Sequence, residues 1–141
     1  MTATDTTAAN RFGWLLNSFV TDTSGVTDAV AVSTDGLLIS MSNSLDLTAA
    51  ERVAAMISGF MSLGQGAAYT FDFGELSQII VAMDGGYLFV SAISGGSCLG
   101  VVADHTCDIG LVGHHTRILV ERVGTVLTPA LIAELRDRVL A

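Results

Sequence analysis

The chain contains no lysine. A P-loop needs one on the phosphates, a pyridoxal enzyme needs one for its Schiff base, and a kinase needs one on the α/β-phosphates. One absence removes all three classes. The six positive charges are arginines, scattered along the chain against 14 acids, for a net charge of −8. No basic stripe exists to hold phosphates, which excludes nucleic acid and an anionic membrane surface as partners. Cysteine is scarce too: Cys98 and Cys107 make no disulfide framework. On one strand, nine steps of ~3.3 Å would hold them ~30 Å apart, beyond bridging distance. Two reduced thiols in a cytosolic protein is the reading that follows. "MTATDTTAAN" has no positive n-region and no apolar stretch, so no signal peptide is expected. Long apolar runs are missing as well. Val53–Phe71 and Gly85–Ala103 are free of charge, but Ser58, Ser62, Gln65 and three glycines interrupt the first and "SGGS" the second. Neither predicts a membrane span; both predict buried elements.

What is present is apolar. Half the residues are hydrophobic and 14% are charged, so elements covered on both faces, or a subunit interface, are expected. The length suits one domain. Residues 1–7 are small and polar and read as a flexible N-terminus. From Ala8, Phe12, Leu15, Leu16 and Phe19 recur at helical spacing. "VTDAVAVSTDGLLISMSNS" reads as a hairpin turning on Asp35-Gly36, a two-residue loop. Val26, Asp28, Val30 and Val32 would share one face of its first strand, and Leu37, Ile39 and Met41 one face of the second. Asp28 stands out as an acid inside a strand, either facing solvent or guarding an edge.

A long helix over Ala49–Phe71 follows, with Thr48 and Glu51 as a capping box. Its apolar stripe is Val53, Met56, Ile57, Phe60, Leu63, Ala67 and Phe71. Ala55, Ser58, Gly59, Ser62 and Gly66 make a small-residue flank suited to close helix approach. Glycines 59, 64 and 66 cost helix propensity, so packing must compensate or the helix must break near Gly64–Gly66. "ELSQIIVAMDGGYLFVSAISGGSCLGVVAD" reads as three antiparallel strands with turns at Asp84–Gly86 and Ser94–Ser97. Their consecutive apolar positions predict cover on both faces. A third helix starts at Asp108. Thr128 as N-cap and Pro129 at the first position open a short last helix, or a kinked continuation of the third.

The most chemical-looking stretch is "DHTCDIGLVGHH", Asp104–His115. It holds all three histidines and one cysteine. His105 and Cys107 would share a strand face. His114 and His115 are neighbours on a helix and point ~100° apart, so they cannot make the i, i+4 pair of a helical zinc site. A zinc or Cys/His site would require the strand end to fold back on the second helical turn. A helix N-terminus could lower the Cys107 pKa, yet neither oxyanion donor nor orienting group is legible. Asp108 reads best as an N-cap, Cys107 as a small junction residue, and the histidines as junction and surface residues. "GGSCLG" and "GQGAAY" each miss a glycine of the nucleophile elbow and the dinucleotide fingerprint. No catalytic constellation emerges, which points to an interaction module.

The succession "VTDAVAVSTDGLLIS", "ERVAAMISGFMSLGQGAA" and "IIVAMDGGYLFVSAISGGSCLGVVADHTCDIGLVGHHTRILVERV" resembles the roadblock/dynein-light-chain family, related to longin and profilin-like folds, and within it the actinobacterial-type members. The resemblance covers about Asn10 to Leu127. It implies an α+β fold: a single α/β/α sandwich whose five-stranded antiparallel sheet carries the second helix on one face and the first and third on the other. The domain would occupy residues 8–127, with 128–141 as a C-terminal helix or extension. The resemblance also implies a homodimer through the second helix and third strand, with Ala55, Ser58, Gly59, Ser62, Gln78 and Ile80 at the interface. "LSQIIVAM" lacks the charge or proline that would protect an unpaired edge.

The implied function is regulatory, not enzymatic: a cytoplasmic scaffold or regulator that binds a small Ras-like GTPase in a signalling complex associated with a sensor kinase. It implies no cofactor, no metal and no shared arginine finger. Arg52 is the one positive charge near the presumed contact face. Two other readings stand beside this one. The first is a zinc- or thiol-dependent enzyme built on His105, Cys107, His114 or His115. The second is a profilin-like sensor with a small ligand between sheet and long helix.

Overall fold

A computed structural model describes residues 3–140, and the side chains of 8–139. The helices are α1 (Ala3–Asp22), α2 (Leu47–Phe71), α3 (Ile109–Gly124) and α4 (Pro129–Leu140). The strands are β1 (Val26–Val32), β2 (Leu38–Met41), β3 (Gln78–Met83), β4 (Gly86–Ala92) and β5 (Cys98–Asp104). The sheet order is β2-β1-β5-β4-β3, and every neighbouring pair is antiparallel. The expected α+β sandwich is what the chain forms. α1 begins at Ala3 rather than Ala8. Met1 and Thr2, the start of the segment read as flexible, lie outside the described residues, as do the side chains of residues 3–7.

The sheet has a core on each face. Ala29, Ala31, Ile39, Phe89, Leu99 and Val101 pack under α1, α3 and α4. Val30, Val32, Leu38, Leu88 and Val90 pack under Ala50, Ala54, Ile57 and Met61 of α2. Each fully buried large apolar side chain contributes about 1.5–3 kcal/mol. Strand alternation sends neighbours to opposite cores, which explains the unbroken apolar runs of β1, β4 and β5.

Two hairpin expectations need correction. The first turn holds three residues, Thr34–Gly36, closed by the Ser33 N–H donating to the Leu37 carbonyl at 2.9 Å. A two-residue turn of the expected type requires positive φ at both central residues; Gly36 has φ 82° and Asp35 does not. The pairing also shifts register between Val26 and Asp28 and between Ala31 and Val32. Val26 therefore joins Ala29 and Ala31 under α1, and Ile39 parts from Met41. Leu37 is exposed. Asp28 guards no edge, because β1 lies between β2 and β5. It sits at the first shift, accepting a hydrogen bond from Thr27 at 2.8 Å.

α2 is unbroken. Its N-cap is Asp46, whose carboxylate accepts the Ala49 N–H at 2.8 Å. The Thr48–Glu51 box is not used, since a better capping residue two positions earlier starts the helix first. At the far end Asp72 takes the left-handed conformation, and the Phe73 N–H reaches back to the Ala68 carbonyl at 3.0 Å, a Schellman closure. The α3 cap is Asp108, as expected, accepting from Leu111 at 3.1 Å. Thr128 caps α4, accepting from Leu131 at 3.1 Å. α4 packs against β2 and α1. Its Leu131 and Leu135 enter the core under α1, while Val139 reaches the core under α2. The helix therefore crosses the β2 edge of the sheet.

Candidate interaction surface on the second helix and third strand

α2 is apolar on two sides. The side on the sheet is lined by small residues: Ala50, Ala54 and Gly64 flank Ile57 and Met61. A Cβ on Gly64 would come within 2.6 Å of Leu76 and 2.8 Å of Ile79, so the helix rests there on β3 and its approach. The expected stripe is split by this close approach. Ile57 is buried and Val53 and Phe60 are half-buried. Met56, Leu63, Ala67 and Phe71 face outward, Leu63 with 75% of its surface exposed. The periodicity does not separate the two sides, because Val53, Met56, Ile57, Phe60 and Leu63 form one wide apolar arc that reads alike whichever part of it meets the sheet.

The outward side is where the small flank lies. Ala55, Gly59, Ser62 and Gly66 are exposed; Ser58 is half-buried and abuts the first hairpin turn, its Oγ 3.0 Å from a Cβ placed on Gly36. A side chain added at Gly59 or Gly66 would meet nothing within 4 Å. These two glycines are not explained by packing inside the chain. Arg52 is exposed at the start of the same helix. Beyond the helix end, Phe71 and Phe73 stack with ring centroids 5.5 Å apart, both exposed. Phe73 lies past the helix end, where no periodicity in the sequence marks it as the partner of Phe71.

β3 lies at one end of the strand order, with β4 as its one strand neighbour among the described residues. The Ala92 N–H donates to the Ser77 carbonyl at 3.1 Å. Antiparallel alternation then turns the backbone groups of Gln78, Ile80 and Ala82 away from β4. The Ile80 side chain is exposed. The Gln78 side chain is engaged internally, donating to Ser91 at 3.0 Å and to the Gly113 carbonyl at 3.4 Å. Gln78 can thus offer an interface its main chain, not its amide.

The Asp104–His115 stretch resolves into separate roles. His105, His114 and His115 are exposed. The rings of His114 and His115 stand 5.7 Å apart. Among the described residues no group of three or more His, Cys, Asp or Glu side chains could hold a metal ion. Cys107 packs on Gly25, where φ is 88° and an added Cβ would stand 2.5 Å from the Cys107 Cβ. Burial raises the Cys107 pKa, and the carboxylates of Asp104 and Asp108 raise it further. The helix N-terminus does not activate this thiol. Cys98 is a second free thiol, buried at the start of β5 and likewise pushed up by burial. The Thr106 hydroxyl, then its N–H, hold the Asp104 carboxyl below its usual range.

A cleft of about 280 Å³ opens beside Leu38, Leu47, Ala54, Arg136 and Val139. It lies where the first hairpin, the start of α2 and α4 meet, not along the middle of the long helix. No helix of the described residues is long and apolar enough to cross a membrane.

A comparison with functionally curated proteins returns no match. Solved structures do match. The chain is similar to a Roadblock/LC7 domain from Streptomyces avermitilis, at 38% identity over 79% of this chain and 92% of that one, with a TM-score of 0.74. It shares its fold with MglB of Myxococcus xanthus, at 16% identity over 82% and 94%, TM-score 0.75. The same holds for the gliding protein MglB of Thermus thermophilus, at 16% identity over 89% and 93%, TM-score 0.74. The profile of the Roadblock/LC7 domain matches residues 12–103, from α1 through β5. With that match and that identity, the chain belongs to the Roadblock/LC7 domain family.

Proposed function

We propose that the protein is a cytoplasmic, homodimeric regulatory scaffold, not an enzyme, that binds a small Ras-like GTPase in a signalling complex with a sensor kinase. The observation that carries this reading is the outward side of α2 beside the edge of β3. Met56 and Leu63 stand exposed around Gly59 and Gly66, where none of the described residues fills the space. An unprotected strand edge beside an apolar helix face would be an aggregation hazard if left open. A two-fold axis at the β3 edge brings β3 against β3 and α2 against α2, which covers both features at once. The other sheet edge is crossed by α4, which leaves β3 as the edge for pairing.

In this dimer Ala55, Ser58, Gly59 and Ser62 permit close approach of the helices. Gln78 and Ile80 contribute their outward-facing backbone groups. Arg52, at the rim of the joined helices, is the candidate contact for the GTPase. Its charge stands out in a chain of net −8. The family resemblance supplies the GTPase as partner class.

A pull-down from the native cytosol tests the function, run once with GDP and once with a non-hydrolysable GTP analogue. Retention of a small GTPase with the analogue alone indicates an effector or activator. Retention in both states indicates a scaffold. Retention in neither refutes the GTPase reading.

A further inference from the structure

α1 and α3 lie on the sheet face opposite α2, and between them runs an open groove of about 390 Å³. Its floor is apolar, with Leu15 and Leu119 buried, and its walls are mixed, with Ser18, Asp22, Thr23 and His115 beside exposed apolar side chains. Trp14, the chain's one tryptophan, is 62% exposed, and Leu111 and Ile118 are 48% and 41% exposed. The two helices run in opposite directions along it. Arg122 of α3 closes one end, where a second hollow adjoins the groove across Trp14 and Leu15 and is lined by Arg11 of α1 and the same Arg122. Asp22 and Leu111 mark the other. Neither arginine is ion-paired among the described residues. From Arg11 to Asp22 the groove and the adjoining hollow together span about three helical turns, or roughly 16 Å.

We propose that this groove is a docking site for an amphipathic helix of a partner protein, carrying carboxylates at the end that meets Arg11 and Arg122. Length and shape favour a helix: three turns present apolar anchors at i, i+3 or i+4, and i+7 to Trp14, Ile118 and Leu111. The charge distribution favours an acidic terminus. Two arginines without an ion pair among the described residues stand at one end, while Asp22, the acid among the lining residues, lies at the other. The docked helix lies with its C-terminal end at the arginines, since its dipole is negative there. A second molecule of this chain could enter only through a different surface, a heterologous contact, and the crosslink below distinguishes that outcome. The sheet separates this surface from α2 and β3, and the site stays open in the proposed dimer. It therefore stands apart from the GTPase reading.

Photo-crosslinking in the native cell tests the proposal, using the full chain with a benzophenone amino acid in place of Ser18 on the groove wall. The crosslinked segment is sequenced and synthesised as a peptide, and Trp14 fluorescence follows its binding to the purified protein. The expected capture is a segment of another protein with apolar residues at helical spacing and carboxylates at one end. Its peptide should blue-shift Trp14. Arg122→Glu, or independently Arg11→Glu on the other helix, should weaken it about tenfold or more, with circular dichroism unchanged. Raising salt from about 50 mM to about 500 mM should weaken it as well. Capture of this chain alone, of a segment without carboxylates, or of nothing would overturn the proposal. So would a peptide indifferent to both charge reversals.

Discussion

At the scale of single residues, the junction at Gly25 and Cys107 shows how a chemical-looking cluster can be structural. The Asp104 N–H donates to the Gly25 carbonyl at 2.8 Å, and Cys107 lies against the same glycine. Gly25→Ala would combine a positive φ with a Cβ pressed on the Cys107 backbone and side chain. We expect it to destabilise the fold by about 1–3 kcal/mol, read as a lower urea midpoint with an unchanged slope. The thiol follows from the same packing. Its pKa is raised, so the thiolate forms only on the alkaline side of an ordinary cysteine. Alkylation of Cys107 at pH 8 should be slower than that of a free cysteine and should accelerate as pH rises further. A rate already saturated near neutrality would contradict this.

At the scale of elements, α2 and β3 carry the functional argument, and they can be tested separately. The backbone of Ile80 points away from β4, so Ile80→Pro removes an outward donor and leaves the β3–β4 ladder intact. The expected result is a folded monomer by analytical ultracentrifugation. A dimer that persists would mean that β3 is not the pairing edge. Gly59→Ala probes the helix. Relief of the glycine penalty should stabilise an isolated protomer by about 1 kcal/mol, while the added methyl spreads helices that must approach closely. Stability measured on the Ile80→Pro background should therefore rise as the dimer of the parent chain weakens.

At the scale of the whole molecule, α4 decides which edge of the sheet is open. It lies beyond the residues matched by the family profile, 12–103, yet it is tied in by packing and charge. Leu131 and Leu135 are buried, Arg136 pairs with Asp35 at 3.6 Å, and Arg138 donates to Asn10 at 3.0 Å. Leu135→Ala should cost about 2–5 kcal/mol and make the β2 edge accessible. Faster amide exchange confined to β2 and α4 is the expected signature. If exchange instead rises evenly through the sheet, α4 is part of the global folding unit rather than a separable cover.

Element order, antiparallel pairing, the caps at Asp108 and Thr128, and cover on both faces of the sheet are all legible in the residues alone. All of these rest on local signals: periodicity, turn residues and capping side chains that act within a few positions. Tertiary structure alone decided the face assignments. Register shifts in β1 and β2 moved Val26 and Ile39, because an irregularity in pairing leaves no mark on composition. The close approach of α2 to the sheet chose Ala50, Ala54 and Gly64 for the inside and left Leu63 and Met56 outside. A helix apolar on two sides reads the same from sequence whichever side meets the core. The groove at Trp14 was illegible for a related reason: it exists only where α1 and α3, far apart in the chain, lie side by side.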